Sequence, residues 1–479
     1  MYPIIIFVAS ILVICLSLLC FHKKTDDKFN KFLKIFTITF CAIGFFRFFL
    51  SDSFVFVING ASFNGTYYDV TDVLQTVLRW GYYLNYVILP MAIFFDSRLF
   101  KNIACYVCLF FSLLSAVFFN NYMEYFLSPK GQGLHLYDWF RYFYFILELV
   151  MAISIPVIMQ VRQKYFFNYL DKKEWANFLI SLPFIVIALM PAYVPQSLIG
   201  YSSLIPTVGS VYHIGWITLS VVLIVVFYHI FRFKDYKTRY MFCVFLTLAL
   251  FFHYNSIFLM GITIPRLPIQ LCNLAAYIYI ITIPFKLKRT FQFSYIVNIA
   301  GAIVAYVVSD FSGGAFGFWN MHFVYEHTFV LMVPALTMAL RVFPRVEKKS
   351  LKYAFIGFSI YFILCWITGT ILNGFSDKIG TTVNYFFMFD LKKAFGFFPF
   401  LTFSGNYYIE IGRFIIYPVV SLIIYVAFSI LYLLFYGFTR FMYKYEDDHI
   451  ELRKSGIDLL EKMTKRKFNI PRDFQKTNE

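Results

Sequence analysis

The sequence predicts an all-α fold, a polytopic membrane helix bundle, from three observations. The first is composition: 60% of residues are hydrophobic, 22% aromatic and 14% charged. That is too apolar for a soluble domain of 479 residues. The second is length: apolar windows of about 18–22 residues recur, and about 20 residues of helix cross a bilayer core. The third is charge, since every second loop is basic. A barrel is excluded because the segments lack period-two alternation. Helices are then required, because backbone in lipid must satisfy its own hydrogen bonds.

In chain order the windows fall at 3–21, 33–50, 78–95, 102–119, 142–161 and 177–195. They continue at 211–231, 240–260, 267–285, 293–309, 321–340, 353–372 and 412–436, which predicts about thirteen transmembrane helices. The first window lacks a basic flank before it and a small-x-small cleavage site, and Lys23 and Lys24 follow it. It therefore reads as an uncleaved first span with its N-terminus outside. Further basic loops carry Arg98 and Lys101, Arg162 and Lys172, Arg232 and Lys237, Lys286 and Arg289, and Arg345 and Lys349. The loops between them hold Asp52, Asp69, Asp72 or Asp310, or no charge at 196–210. The positive-inside rule places the basic loops and the C-terminus in the cytoplasm of a plasma-membrane protein. The tail 437–479 is basic and partly amphipathic through Leu452, Ile457, Leu459, Leu460 and Met463, as expected at a membrane surface.

The net charge of +16 has the same origin, so no nucleic-acid partner is implied. All eight cysteines lie in apolar windows, which argues against an exported disulfide framework. Cys105 and Cys108 form a CxxC without polar neighbours in sequence, and no metal or other cofactor is expected.

A repeat is expected. Phe45-Phe46-Arg47 matches Phe251-Phe252-His253, and Glu148 followed by Pro156 matches Glu326 followed by Pro334. Two parallel six-helix repeats plus a final helix result: 1–205, 206–436, then the tail. The first repeat has Arg47, Tyr82 and Leu149 where the second has His253, Cys272 and His327. Arg47 and Glu148 are expected to form a buried ion pair, and the second repeat to be the active half.

Polar side chains in hydrocarbon are costly and mark function. Cys272, His253 and His327 fall on three windows at one expected depth, roughly 8–10 Å below the outer face at 1.5 Å per residue. Glu326, Gln270, Asn273 and His322 surround them in sequence. A thiol beside an imidazole is the minimal equipment for acyl transfer: the sulfur attacks, the ring carries the proton. Free N–H groups at the helix start, with Gln270 or Asn273, would hold the oxyanion. Taken singly, a membrane cysteine is usually a small apolar filler, and a membrane histidine usually a helix–helix hydrogen bond. His213 and His229 have no polar neighbours in sequence and read as structural.

The segment Leu267-Pro268-Ile269-Gln270-Leu271-Cys272, the run His327 to Pro334 and a later Asn384-Tyr385-Phe386 resemble the YwaF-type bacterial integral membrane family. That family is similar to eukaryotic transmembrane Cys/His phospholipid acyltransferases. The resemblance covers about 238–436 and implies Cys272 as acyl acceptor and His327 as base. Gln270 stands where a histidine is common. The expected function is a membrane acyltransferase or transacylase acting on phospholipids, with membrane lipids as donor and acceptor partners and oligomeric state open. The rival is a non-enzymatic transporter or lipid-binding scaffold, because parallel six-helix repeats also suit transporters. The long aromatic loop 373–411 reads as a lid.

Overall fold

The computed structural model describes all residues except 50–72, 121–137, 166–170, 201, 261–266, 308, 310, 312, 398, 449–460, 462–464, 466 and 468–479. The amphipathic tail positions Leu452 to Met463 and the Arg47 side chain lie outside the described residues, as do Asp52, Asp69, Asp72 and Asp310. The chain divides into two units. Unit 1 comprises Met1–Leu204, Phe252–Thr263 and Gly314–His322; unit 2 comprises Ile205–Phe251, Ile264–Gly313 and Phe323–Glu479.

Unit 1 contains α1 (Tyr2–Phe21), α2 (Asp26–Phe49), α3 (Val73–Tyr83), α4 (Asn85–Phe95), α5 (Arg98–Val117), α6 (Asp138–Arg162), α7 (Lys172–Ala188) and α8 (Val194–Ile199). Helix α1 packs along α6, and α2 against α4 and α6. The outer face of α1 presents Ile4, Val8, Ile11, Leu12 and Leu19, a surface suited to lipid. The expected window 78–95 is broken at Leu84. Here the buried Asn85 amide donates to the Tyr82 carbonyl (2.7 Å) and Ser112 Oγ (3.0 Å). Cys105 and Cys108 lie in a π-helical segment of α5, Ala104–Cys108.

Unit 2 and the segments shared with unit 1 contain α9 (Val211–Phe231), α10 (Tyr236–Asn255), α11 (Leu271–Thr282), α12 (Lys288–Val307), α13 (Phe318–Ala339), α14 (Lys348–Gly374) and α15 (Leu391–Phe397). A hairpin of β1 (Ile409–Ile411) and β2 (Phe414–Ile416) precedes α16 (Pro418–Asp448). Its turn uses Gly412 at φ +62°, a left-handed conformation that costs glycine nothing. The expected helix at 412–436 therefore starts at Pro418. Helix α12 is the hub of unit 2 and packs against α11, α14 and α16. Small residues Ala300, Gly301 and Ala302 let α11 approach closely. A Cβ on Gly301 would sit 2.7 Å from Cδ2 of Leu271.

At the basic end the buried Arg239 donates through Nη1 to the Leu340 carbonyl and through Nε to that of Lys234 (3.1 Å). A cation beside the last carbonyls of α13 is favoured by the helix dipole. His213, expected without polar neighbours, is in fact well bonded. Its Nδ1 accepts from the Gly209 N–H (2.9 Å), so Nε2 carries the proton and donates to the Tyr306 carbonyl (2.7 Å).

Among the described residues nine helices are long and apolar enough to cross a membrane, which makes this a multi-pass helical membrane protein. The other four expected windows lie on helices that fall short for local reasons. Leu84 splits one, α7 has 17 residues and α11 has 12. Helix α13 has 22 residues but carries Asn320, His322, Glu326 and His327.

Candidate functional site

Cys272 lies in the first turn of α11, two residues after the N-cap Gln270. The helix was expected from 267; residues 267–270 instead form a turn, with the Ile269 N–H on the Leu267 carbonyl (2.6 Å). Leu267 precedes Pro268, and a residue before proline is disfavoured in the helical conformation. A turn at membrane depth is tolerated only where protein satisfies its backbone. Tyr361 Oη and Cys365 Sγ (3.5 Å), both on α14, do so by donating to the Ile269 carbonyl.

At 1.5 Å per residue α11 is about 18 Å long, short of a ~30 Å hydrocarbon core. Cys272 lies about 15 Å along the axis from the end of α11 at Thr282, which leads into the basic loop. His327 lies about 18 Å from the corresponding end of α13, and Tyr361 about 20 Å from the start of α14. Measured from the end nearest a basic loop, the three residues thus lie about 15–20 Å along their helices.

Cys272 is partly exposed, and four side chains are close enough to interact with it electrostatically: Glu326, Tyr279, Tyr361 and Tyr432. Glu326 is buried. The Tyr432 hydroxyl is buried with no hydrogen-bond partner among the described residues. The first N–H groups of a helix have no intrahelical acceptor. Those at the start of α11 adjoin the thiol, and the Gln270 side chain does not cap them. Gln270 is exposed and Asn273 buried.

His327 is buried on α13. Its Nδ1 bonds the Phe323 carbonyl one turn back (2.8 Å), and its ring packs on that of Phe323 at 4.2 Å. A carbonyl only accepts, so Nδ1 bears the proton and Nε2 of the neutral ring keeps its lone pair. No hydrogen bond joins His327 to Cys272 among the described residues. The next residue, Thr328, is held by α9: Trp216 Nε1 donates to its Oγ1 (2.8 Å), and Ser220 Oγ lies at 3.0 Å.

The other two expected histidines group with unit 1. His253 donates through Nε2 to the Ala188 carbonyl (2.6 Å). His322 stacks on Phe318 at 5.9 Å and lies 6.2 Å from the Tyr254 ring. Among the described residues no group of three His, Cys, Asp or Glu side chains is arranged to hold a metal ion.

The expected lid contains a packed wedge. Asn384 Oδ1 accepts from the N–H groups of Phe389 (3.0 Å) and Asp390 (2.9 Å), folding 384–390 on itself. Phe386 and Phe387 both take positive φ, +53° and +61°, at a cost of about 1–2 kcal/mol each. Packing offsets this: the Phe386 ring contacts those of Phe358, Tyr361 and Phe362 on α14 and Phe428 on α16. The Asn384 motif thus buttresses Tyr361, which in turn holds the turn before Cys272.

Tyr361, Cys365 and Tyr432 were missed by sequence reasoning. The i, i+4 pair Tyr361/Cys365 on an apolar helix was the available signal. Tyr361→Phe is expected to cost only about 0.5–1.5 kcal/mol of stability. The freed Ile269 carbonyl would let the turn relax, and alkylation of Cys272 by a membrane-permeant maleimide should change at least about threefold in rate. An unchanged rate with an unchanged Tm removes Tyr361 from the site.

No curated protein and no solved structure matches the chain. The stretch that carries Cys272, Glu326, His327, Tyr361 and Tyr432 does have a counterpart: residues 208–432 match the model of the TMEM164 family, a family of transmembrane proteins.

Proposed function

We propose that the chain is a membrane acyltransferase or transacylase acting on phospholipids through Cys272 and His327. One observation carries the reading: a cysteine in the first turn of a membrane-embedded helix, within electrostatic range of Glu326, with a base-competent imidazole one residue further on α13. Few structural needs put such a set in hydrocarbon.

The steps balance without a cofactor. The Cys272 Sγ proton passes to His327 Nε2 as sulfur attacks the ester carbonyl of a donor phospholipid. The carbonyl oxygen gains the charge, stabilised by the free N–H groups at the start of α11, with Asn273 and Gln270 nearby. The C–O bond then breaks, and the leaving alkoxide takes the proton from His327, giving a lysolipid and a thioester. An acceptor hydroxyl next gives its proton to His327 and attacks the thioester; the C–S bond breaks, and sulfur recovers the proton. Lipid binding must bring Nε2 and Sγ together, as catalytic contacts often tighten only with substrate present. The reading leaves His253 and His322 their bonds in unit 1. It also takes the N-terminus as external and the basic loops as cytoplasmic in the plasma membrane.

The test is labelling of the purified chain with a clickable fatty acid supplied as a phospholipid ester. The parent chain is expected to acquire a hydroxylamine-sensitive label and Cys272→Ala none. Equal labelling of the variant refutes the thioester. A parent chain that binds the lipid without labelling identifies a lipid-binding scaffold instead.

A further inference from the structure

The basic end of unit 1, outside the stretch matched by the TMEM164 family, carries a half-open cavity of about 500 Å³. We propose that it binds a phosphate ester anion, the headgroup of an anionic phospholipid. Four cations line it: Lys34 from α2, Lys101 from α5, and Arg162 and Lys164 at the end of α6. Two carboxylates oppose them. Asp26 pairs with Arg162 at 3.1 Å, and Asp96 pairs with Lys101. Those pairs cancel, which leaves the charges of Lys34 and Lys164, neither in an ion pair among the described residues. Two uncancelled cations match the one to two negative charges of a phosphate ester.

The two paired cations are fixed in place, and the two uncancelled ones, Lys34 and Lys164, are exposed at the rim. Lys101 is 8% exposed, with Nζ on Gln163 Oε1 at 2.7 Å. Arg162 is fixed by Asp26 and by the Lys24 carbonyl (3.1 Å), yet its Nε is buried with no acceptor among the described residues. A buried donor without an acceptor calls for one. The α4 and α6 ends at this cavity stop in left-handed residues that are not glycine, Asp96 at φ +53° and Lys164 at φ +49°. Such strain persists where surrounding structure enforces it.

The remaining wall is apolar. Phe29 and Leu33 of α2 face the cavity with Ile93 and Phe94 of α4. A polar end beside an apolar wall suits an amphiphile better than a free ion. The volume lies in the usual range of small-ligand pockets, about 300–1,000 Å³. Basic loop residues also lie at the depth where lipid headgroups lie.

The experiment is calorimetric titration of the full chain in neutral detergent with three probes: dioctanoyl phosphatidic acid, dioctanoylglycerol and inorganic phosphate. The phosphatidic acid is expected to bind and dioctanoylglycerol not to. The Lys34→Ala/Lys164→Ala double variant should weaken binding at least about tenfold. Lys172→Ala/Lys173→Ala removes equal charge from exposed positions outside the cavity and should leave binding unchanged. Both side chains of the test pair are exposed, so folding is preserved, and the Tm of each variant verifies it. Weak binding of inorganic phosphate identifies the lipid headgroup as the source, and equal binding identifies a soluble phosphate. Equal binding of dioctanoylglycerol, or equal losses in both double variants, overturns the site. The readout involves neither Cys272 nor His327, so it stands or falls apart from acyl transfer.

Discussion

His327→Asn is expected to slow acyl transfer by about 10²–10⁴-fold, the usual contribution of general acid–base catalysis. Asparagine can still donate an N–H to the Phe323 carbonyl that His327 Nδ1 bonds. What it lacks is the Nε2 lone pair. The bundle should keep its Tm while both thioester formation and its discharge to a hydroxyl acceptor slow together. Glu326→Gln is the necessary companion, because Glu326 is the carboxylate within electrostatic range of Cys272. It keeps the shape and removes the charge, and a loss of about tenfold is expected. Single-turnover formation of the labelled thioester, followed by its decay on adding lysolipid, measures both steps. If Glu326→Gln proves the slower enzyme, the carboxylate is the base. If His327→Asn matches the parent rate, the imidazole has no catalytic part.

Gly301→Leu is expected to remove activity without touching a polar group. A Cβ at Gly301 would meet the tip of Leu271, the residue before Cys272, at 2.7 Å. For alanine only that flexible tip must swing, so Gly301→Ala should retain most labelling. Leucine drives a branched side chain into the α11–α12 contact, an overpacking that costs about 1–3 kcal/mol. The first turn of α11 is the part free to yield, because a turn, not a helix, precedes it. Lipid labelling of Cys272 should therefore fall at least about tenfold in Gly301→Leu, with a lower Tm. Full labelling despite the lowered Tm would show that the thiol tolerates displacement and that the turn does not position it.

The membrane bundle was legible because its cause is collective. Each long apolar window must become a helix in lipid, whatever its neighbours. Windows failed where a single residue overruled the average. A turn at 267–270 precedes α11, and the break at Leu84 divided another window, with the Asn85 amide satisfying the carbonyl of Tyr82. Cys272, Glu326 and His327 were legible as polar exceptions in apolar runs. Tyr361, Cys365 and Tyr432 were not, because a tyrosine in an aromatic-rich membrane chain carries no contrast. The wedge at Phe386 was invisible for another reason: positive φ in two successive phenylalanines contradicts local preference, and only packing against α14 and α16 sustains it.

By itself, the amino-acid sequence determined that the chain is helical, crosses a membrane many times and carries a thiol, a carboxylate and imidazoles inside apolar segments. These follow from composition and local hydrogen-bond necessity. Tertiary structure alone decided that α11 begins at Leu271, that Glu326 lies near Cys272, and that His253 and His322 group with a different unit from His327. Such outcomes depend on which carbonyl a distant side chain can reach, as Tyr361 reaches Ile269 across 92 positions, and no local pattern encodes that pairing.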